Sequence, residues 1–319
     1  MNKKLLDRIL RKAQSPELME ALVNRLSLSD LQSLMLEVYR ERAKKLSPRH
    51  LIVQYMQNRF TQPAKLSPQT SLEFDRLAYS LLPQDFETIE LSPVCPLGTN
   101  SVVAPMDQNN TIITIRNTEV CSDCTNVLAL ECTLRRRAAL SKNKRASKKI
   151  KLCASHRLLR CQTINEPGSY QHFRIFCLCT AGRDKGSFKF EIESLREHIN
   201  FYILLLKESE RLNLTLKDIR VYLIVYDSQK LNLLQTKVVD VLKSKHADIE
   251  FNFNNDTDEG RNYYSGVRFQ IYARDKSQTD FLLVDGGFTN WTQQLLSNKK
   301  ERLLISGIGS ERLCVCFAV

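Results

Sequence analysis

The chain has 319 residues, 43% of them hydrophobic and 26% charged, the make-up of a globular protein with room for one large or two ordinary domains. No apolar run approaches the roughly 18 residues of a membrane helix. The basic start MNKKLLDRILRKAQ carries Asp7, Arg8, Arg11 and Lys12 where a signal peptide needs an apolar centre, so a cytoplasmic protein is expected. Forty-seven basic against 35 acidic residues leave a net charge of +12, which favours a polyanionic partner and says nothing about fold.

The first sixty or so residues read as helices. Leu5, Leu6, Ile9 and Leu10 recur at helical spacing, and SPEL offers an N-cap with Pro16 at the first helical position. The segment SLSDLQSLMLEVYRERAKKL repeats that pattern, and FTQPAKLSPQTS (60–71) is a plausible linker, so an N-terminal helical region over 1–65 is expected. After a helix in SLEFDRLAYSLL the texture changes. DFETIELSPV, NTIITIRN, HFRIFCLCTA, DIRVYLIVYD, RFQIYARD and FLLVDGG alternate or run apolar over strand lengths, and the spacing predicts helices over 125–140, 191–207 and 229–245. Strands separated by so few helices point to an α+β domain, a mostly antiparallel sheet flanked by helices.

Most of the ten cysteines sit inside apolar runs, as small buried hydrophobes do, and free thiols are expected. Cys121 and Cys124 have metal-like spacing, but no second pair exists to complete a zinc site. The run RRRAALSKNKRASKKIK carries nine basic residues between Arg135 and Lys151. It reads either as a solvated loop joining a helix to the strand KLCASHRLLR, or as an electrostatic footprint for RNA. It holds no aromatic residue, so binding there would be to phosphates and not to bases.

Several chemistries are excluded by pattern. SGIGSE is too short for a Walker loop or a dinucleotide fingerprint, no GxSxG is present, and the five histidines form no metal pair. Three arginine-bearing stretches remain. In HRLLRCQTINEPGSYQHFRIF, Arg160 ends one strand and Phe173 begins the next across a Pro-Gly loop, which predicts a hairpin presenting a guanidinium, Gln162 and a ring on one surface. Such a set suits a phosphate and a purine. In ISGIGSERL a glycine-containing strand admits close approach of another group and then places Arg312 at a helical turn. GRNYYSGVRFQIYARD is a strand with two tyrosines and a glycine.

These segments resemble the catalytic core of a class II aminoacyl-tRNA synthetase, nearest the histidyl-tRNA synthetase branch and its inactive relatives, among them the regulatory subunit of ATP phosphoribosyltransferase. FETIELSP is similar to motif 1, the dimer-interface strand ending in a proline, here Pro93. LLRCQTINEPGSYQHF is similar to motif 2, and GIGSERL to motif 3. NYYSGVRFQIY resembles the branch's DYYTG strand, DGGFTNWTQQL its GGRYD element, and SDCTNVLALE its substrate segment. The similarity runs over residues 70–319, with an insert at about 209–255. No segment matches the branch's C-terminal anticodon-binding domain, so no anticodon reading by such a module is expected.

The resemblance implies ATP and Mg2+ as cofactors and a homodimer through the segment near Pro93. It implies Arg160 on the α-phosphate of ATP, Phe173 on adenine with Gln162 at its edge, and Arg312 on the far side of the nucleotide or near its γ-phosphate. Asp123 and Thr125 lie where the family holds the substrate's ammonium group, and they equally suit a helix N-cap. Tyr263, Tyr264 and Trp291 are candidates for the side-chain pocket or for core packing. Three positions depart from the family pattern. Gln162 replaces an acid, Glu259 replaces a catalytic arginine and Phe288 replaces the arginine of GGRYD, which moves the implied substrate away from histidine. The expected activity is ATP-dependent activation of an amino acid or related carboxylic acid as an acyl-adenylate, with transfer to tRNA or another acceptor. The alternatives are a dimeric regulatory or ligand-binding subunit on the same fold, and an accessory protein that binds nucleic acid through 135–151.

Overall fold

The structure is a computed structural model that describes residues 3–162, 170–254 and 260–318. Its strands are β1 (Glu87–Thr88), β2 (Val94–Pro96), β3 (Thr118–Val120), β4 (Ile150–Leu159), β5 (His172–Arg183), β6 (Lys217–Val225), β7 (Glu250–Asn254), β8 (Val267–Arg274), β9 (Asp280–Thr289) and β10 (Glu301–Ile308). Eight of them form one sheet in the order β1-β4-β5-β10-β9-β8-β6-β7, while β2 and β3 pair separately. Pairing is parallel at the two edges, β1–β4 and β6–β7, and antiparallel at every junction between. The α+β architecture expected from the strand-rich texture is the one found.

Alternation along the central strands sends side chains to two cores. On β5, Phe176 and Leu178 enter the cluster beneath the helix Lys189–Glu208, while Cys177 and Cys179 enter a second cluster with the helix Cys124–Lys142. β10 divides likewise, with Leu304 and Ile308 on the first side and Leu303 and Ile305 on the second. This is the period of two that a sheet covered on both faces requires. Residues 217–254 supply β6 and β7 and feed Val221, Leu223, Leu234 and Val238 into the first core.

Three expectations are corrected. NTIITIRN is not a strand: a short 3-10 turn at Gln108–Asn110 ends on its first residue, and its pairing is limited to an isolated bridge from Ile113 to Glu119. The buried Glu119 carboxylate faces the preceding segment, where it gathers the backbone N–H groups of Gly98 (3.0 Å) and Asn100 (2.8 Å) together with the Asn100 and Gln108 amides. Burial alone would raise its pKa, but these donors outweigh burial and hold it below the usual value. The cysteines are not all free thiols, since Cys124 at the start of its helix lies over β5 and is joined to Cys177 as a disulfide.

The basic run, finally, is only partly a solvated surface. Arg136 is fully buried, forked onto Glu301 at 2.7 and 2.9 Å and donating to the carbonyls of Lys148 and Ala146. Arg135 pairs with Glu87 and Glu131, Lys149 with Glu193, and Lys151 with Asp85 and Glu197. Arg137, Lys142, Lys144, Arg145 and Lys148 remain exposed.

The N-terminal helices Lys3–Lys12, Leu28–Ala43 and Pro48–Gln57 contain no buried residue. Ser27 and Ser47 cap the second and third by accepting backbone N–H groups, which explains where those helices start. They reach the body through polar contacts: Asn117 donates to Gln32 and to the carbonyl of Leu28, and Arg59 donates to the carbonyl of Cys161 (2.6 Å). Among the described residues no helix is long and apolar enough to cross a membrane.

Candidate functional site

A cavity of about 250 Å3 opens on the face of β5, β9 and β10 that carries the N-terminal end of the helix Cys124–Lys142. Asp123 is that helix's N-cap: its Oδ1 accepts from the Thr125 backbone N–H (2.9 Å) and hydroxyl (2.8 Å). Its Oδ2 accepts from the Tyr263 hydroxyl (3.3 Å) and lies 3.5 Å from Arg160 Nη2. The cap and a cavity-lining carboxylate are therefore the same residue, and the two readings of Asp123 do not compete.

Arg160 continues the hairpin just beyond β4, with its N–H bonded to the carbonyl of Gln171 (2.9 Å). Its Nε donates to the Ser122 carbonyl (2.9 Å), and its guanidinium lies over the Phe173 ring, 5.1 Å from the centroid. Arg312 comes from the helix Ser310–Cys316 that follows β10, and Nη1 reaches the Leu282 carbonyl at 3.4 Å. Tyr263 and Tyr264 meet edge to face at 4.9 Å, and the buried Trp291 packs edge-on against Tyr263 at 5.3 Å. Burial, and for Tyr263 the Asp123 charge, push both phenols above their ordinary range, so they stay protonated donors.

Seven of the nine residues singled out from sequence, Arg160, Phe173, Arg312, Asp123, Thr125, Tyr263 and Tyr264, border this one cavity, while Trp291 is buried behind Tyr263 and does not line it. Gln162 does not border it and is exposed. Glu259 lies outside the described residues. Phe288 is buried and packs against Phe190.

Two glycines create the space. A Cβ on Gly287 would sit 2.6 Å from Tyr264 Cδ1, and one on Gly307 would sit 3.0 Å from Ile175 Cγ2 and 3.2 Å from Cys177 Sγ. Any other residue there would displace a wall. Beneath the sheet, Ser306 is held from the opposite side by His198 Nδ1 (2.7 Å) and Tyr202 (3.0 Å), while His198 Nε2 meets Thr180 (2.9 Å). Burial, with help from Lys151 and Lys149, pushes the His198 pKa down to about 3, so this ring is a neutral strut.

Sequence reasoning passed over Asp285, Cys177 and Tyr170, which also border the cavity. Asp285 immediately precedes the Gly286–Gly287 pair, a position that could have flagged it. Cys177 carried no signal beyond its apolar context.

No protein-family model matches the sequence, and no curated protein matches it either. The solved structures are informative. Histidyl-tRNA synthetase from S. aureus superposes with a TM-score of 0.56 at 14% identity, covering 79% of this chain and 68% of that one. An ATP phosphoribosyltransferase regulatory subunit/histidyl-tRNA synthetase from Bacillus halodurans gives 0.57 at 16%, covering 82% and 83%. A threonyl-tRNA synthetase structure from Cryptosporidium parvum gives 0.53 at 10%, covering 78% and 63%. The fold is class II synthetase-like. At such identities the likeness concerns the fold alone, and in it the motif-like segments at Arg160, Phe173 and Arg312 converge on one cavity.

Proposed function

We propose that this cavity binds ATP and an amino acid or related carboxylic acid, and joins them as an acyl-adenylate for transfer to tRNA or another acceptor. The observation that carries the proposal is the convergence of two arginines, an aromatic ring and an N-capping aspartate on one volume. Arg160 would meet the α-phosphate, Phe173 the adenine, and Arg312 the far side of the nucleotide. Asp123 and Thr125 would take the ammonium group, with Tyr263 and Tyr264 beside the substrate side chain. A substrate carboxylate oxygen attacks the α-phosphorus, the bond to pyrophosphate breaks, and charge grows on the phosphate oxygens. The Arg160 cation, already fixed by the Ser122 carbonyl and the Phe173 ring, would stabilise that charge without reorganising.

The donors fit ATP: one guanidinium already rests on an aromatic face, and the glycines leave the backbone of β10 approachable. Mg2+ would come with the nucleotide's phosphates, which it usually binds together with one or two carboxylates and waters. We further propose a cytoplasmic homodimer joined at edge strand β1 and the exposed Pro93, and contact with RNA through the exposed part of 135–151.

A second reading, a regulatory or ligand-binding subunit, is favoured by one observation. Arg160 and Asp123 lie 3.5 Å apart, so the phosphate and ammonium ligands partly neutralise each other. The variant Arg160→Ala separates the two. An adenylating enzyme should lose ATP–pyrophosphate exchange by about 100- to 1,000-fold while its thermal unfolding and oligomeric mass stay as in the parent. Full retained activity would remove the proposed mechanism.

A further inference from the structure

The hairpin of β4 and β5 carries a second set of charges on the face turned away from the cavity. Phe173, Ile175 and Cys177 line the cavity, so alternation sends His172 and Arg174 to the other side of β5. Arg157, on β4, stands directly opposite Arg174, and like charges so placed repel. Two carboxylates keep them apart. Asp75 takes the Arg174 guanidinium at 3.0 Å, and Glu311 takes Arg157 Nη1 at 3.1 Å. The Glu311 side chain is fully buried, and its Oε2 also accepts from the Arg174 backbone N–H (3.2 Å). Ser310 ties down the same turn by donating to the Arg174 carbonyl (3.1 Å). The next residue is Arg312, on the cavity wall. Neighbouring residues of a helix point about 100° apart, so a turn pinned through Glu311 on one side aims Arg312 on the other.

Arg157 is itself held from behind. Its Nη1 lies 3.0 Å from His172 Nδ1, and His172 Nε2 lies 2.6 Å from the Gln62 carbonyl. A carbonyl only accepts, so Nε2 carries the proton and Nδ1 accepts from Arg157. The line Gln62–His172–Arg157–Glu311 thus runs from the segment after the N-terminal helices to the turn that presents Arg312. Arg157 does not border the cavity, and the motif resemblances leave it without a role.

Resting on the nucleotide reading above, we infer that Arg157 is a positioning residue for ATP, which fixes Glu311 and through it the aim of Arg312. Its loss weakens ATP because Arg312 is no longer directed at the phosphates. That loss cannot add to the loss of Arg312 itself, since the two act through one contact.

Isothermal titration of ATP with Mg2+ into the full chain tests this in four proteins: the parent, Arg157→Ala, Arg312→Ala and the double variant. Each single variant should raise the Kd by about tenfold, and the double variant should match Arg312→Ala to within about twofold. A merely structural role would lower the number of binding sites and leave their Kd unchanged. An unaltered Kd in Arg157→Ala therefore overturns the proposal. So does a double variant weakened by the product of the two single effects, about a hundredfold. In both cases a parent that binds ATP leaves the nucleotide site standing. A parent that binds no ATP removes the nucleotide reading and the role of Arg157 together. Should Arg157→Ala fail to fold because Glu311 is left buried without its counter-charge, Arg157→Ala combined with Glu311→Gln removes that charge and decides in its place. The same tenfold rise, absent when Arg312 is already alanine, supports the proposal, and an unchanged Kd defeats it.

Discussion

The helix Cys124–Lys142 carries an arginine–carboxylate pair near each end, and the two could hardly differ more. Toward its C-terminal end Arg136 and Glu301 meet at 2.7 Å with both side chains 0% exposed, and two carbonyls complete the guanidinium. At its N-terminal end Asp123 and Arg160 stand 3.5 Å apart, 17% and 24% exposed, on the wall of a cavity. Geometry of the first kind serves only the fold, since nothing further can reach it. Geometry of the second kind leaves both partners accessible from the cavity. The same distinction separates the faces of the sheet: Thr180, His198, Ser306 and Tyr202 satisfy one another on the closed side, while Gly287 and Gly307 keep the other side open.

The sharpest way to test that contrast is to break the closed pair. Glu301→Gln leaves Arg136 buried without a counter-charge and should cost about 3–5 kcal/mol of stability, read as a shift of the urea midpoint. A loss no larger than that of an exposed pair, under about 1 kcal/mol, would contradict the assignment. Next in size is the acid response of His198. In the unfolded chain its imidazole takes a proton near pH 6.5, whereas the buried ring does so only at about 3. Its contribution is therefore complete above pH 6.5 and is lost on acidification at about 1.4 kcal/mol per pH unit toward pH 3. Urea midpoints at pH 7 and pH 5, compared between the parent and His198→Gln, should show a steeper acid loss in the parent. Smallest in stability, but read out in ligand binding, is Gly287→Ala. Its methyl group would displace the Tyr264 ring, so amino-acid affinity should fall about tenfold while the unfolding midpoint moves by no more than about 1–2 kcal/mol. Unchanged affinity would take Tyr264 out of the binding wall.

How much of this could be read in the sequence depends on what each residue answers to. RFQIYARD alternates and FLLVDGG opens on a continuous apolar run, both local patterns of strand length, so β8 and β9 were legible. NTIITIRN carries the same alternation yet forms no strand, because it finds only an isolated bridge, from Ile113 to Glu119, and not a continuous partner. Arg136 sits in a basic run and reads as surface. Only the pairing with Glu301, 165 residues away, makes it a core residue. The Cys124–Cys177 disulfide likewise joins positions 53 residues apart that share no spacing signal. The cavity arginines were legible because Arg160 follows the end of a strand and Arg312 sits in the first turn of the helix after one, both near breaks in the pattern. Asp285 was not, since its fork to Arg268 exists only once β8 and β9 are in register.

The central claim is that the open end of the helix serves adenylate chemistry. Amino-acid-dependent exchange of labelled pyrophosphate into ATP, one amino acid at a time with purified protein and Mg2+, tests it most directly. Exchange that depends on a single amino acid and disappears in Arg160→Ala is the predicted result. No exchange with any of the twenty, in a protein that still binds ATP, would contradict it and leave the fold as a regulatory or ligand-binding subunit.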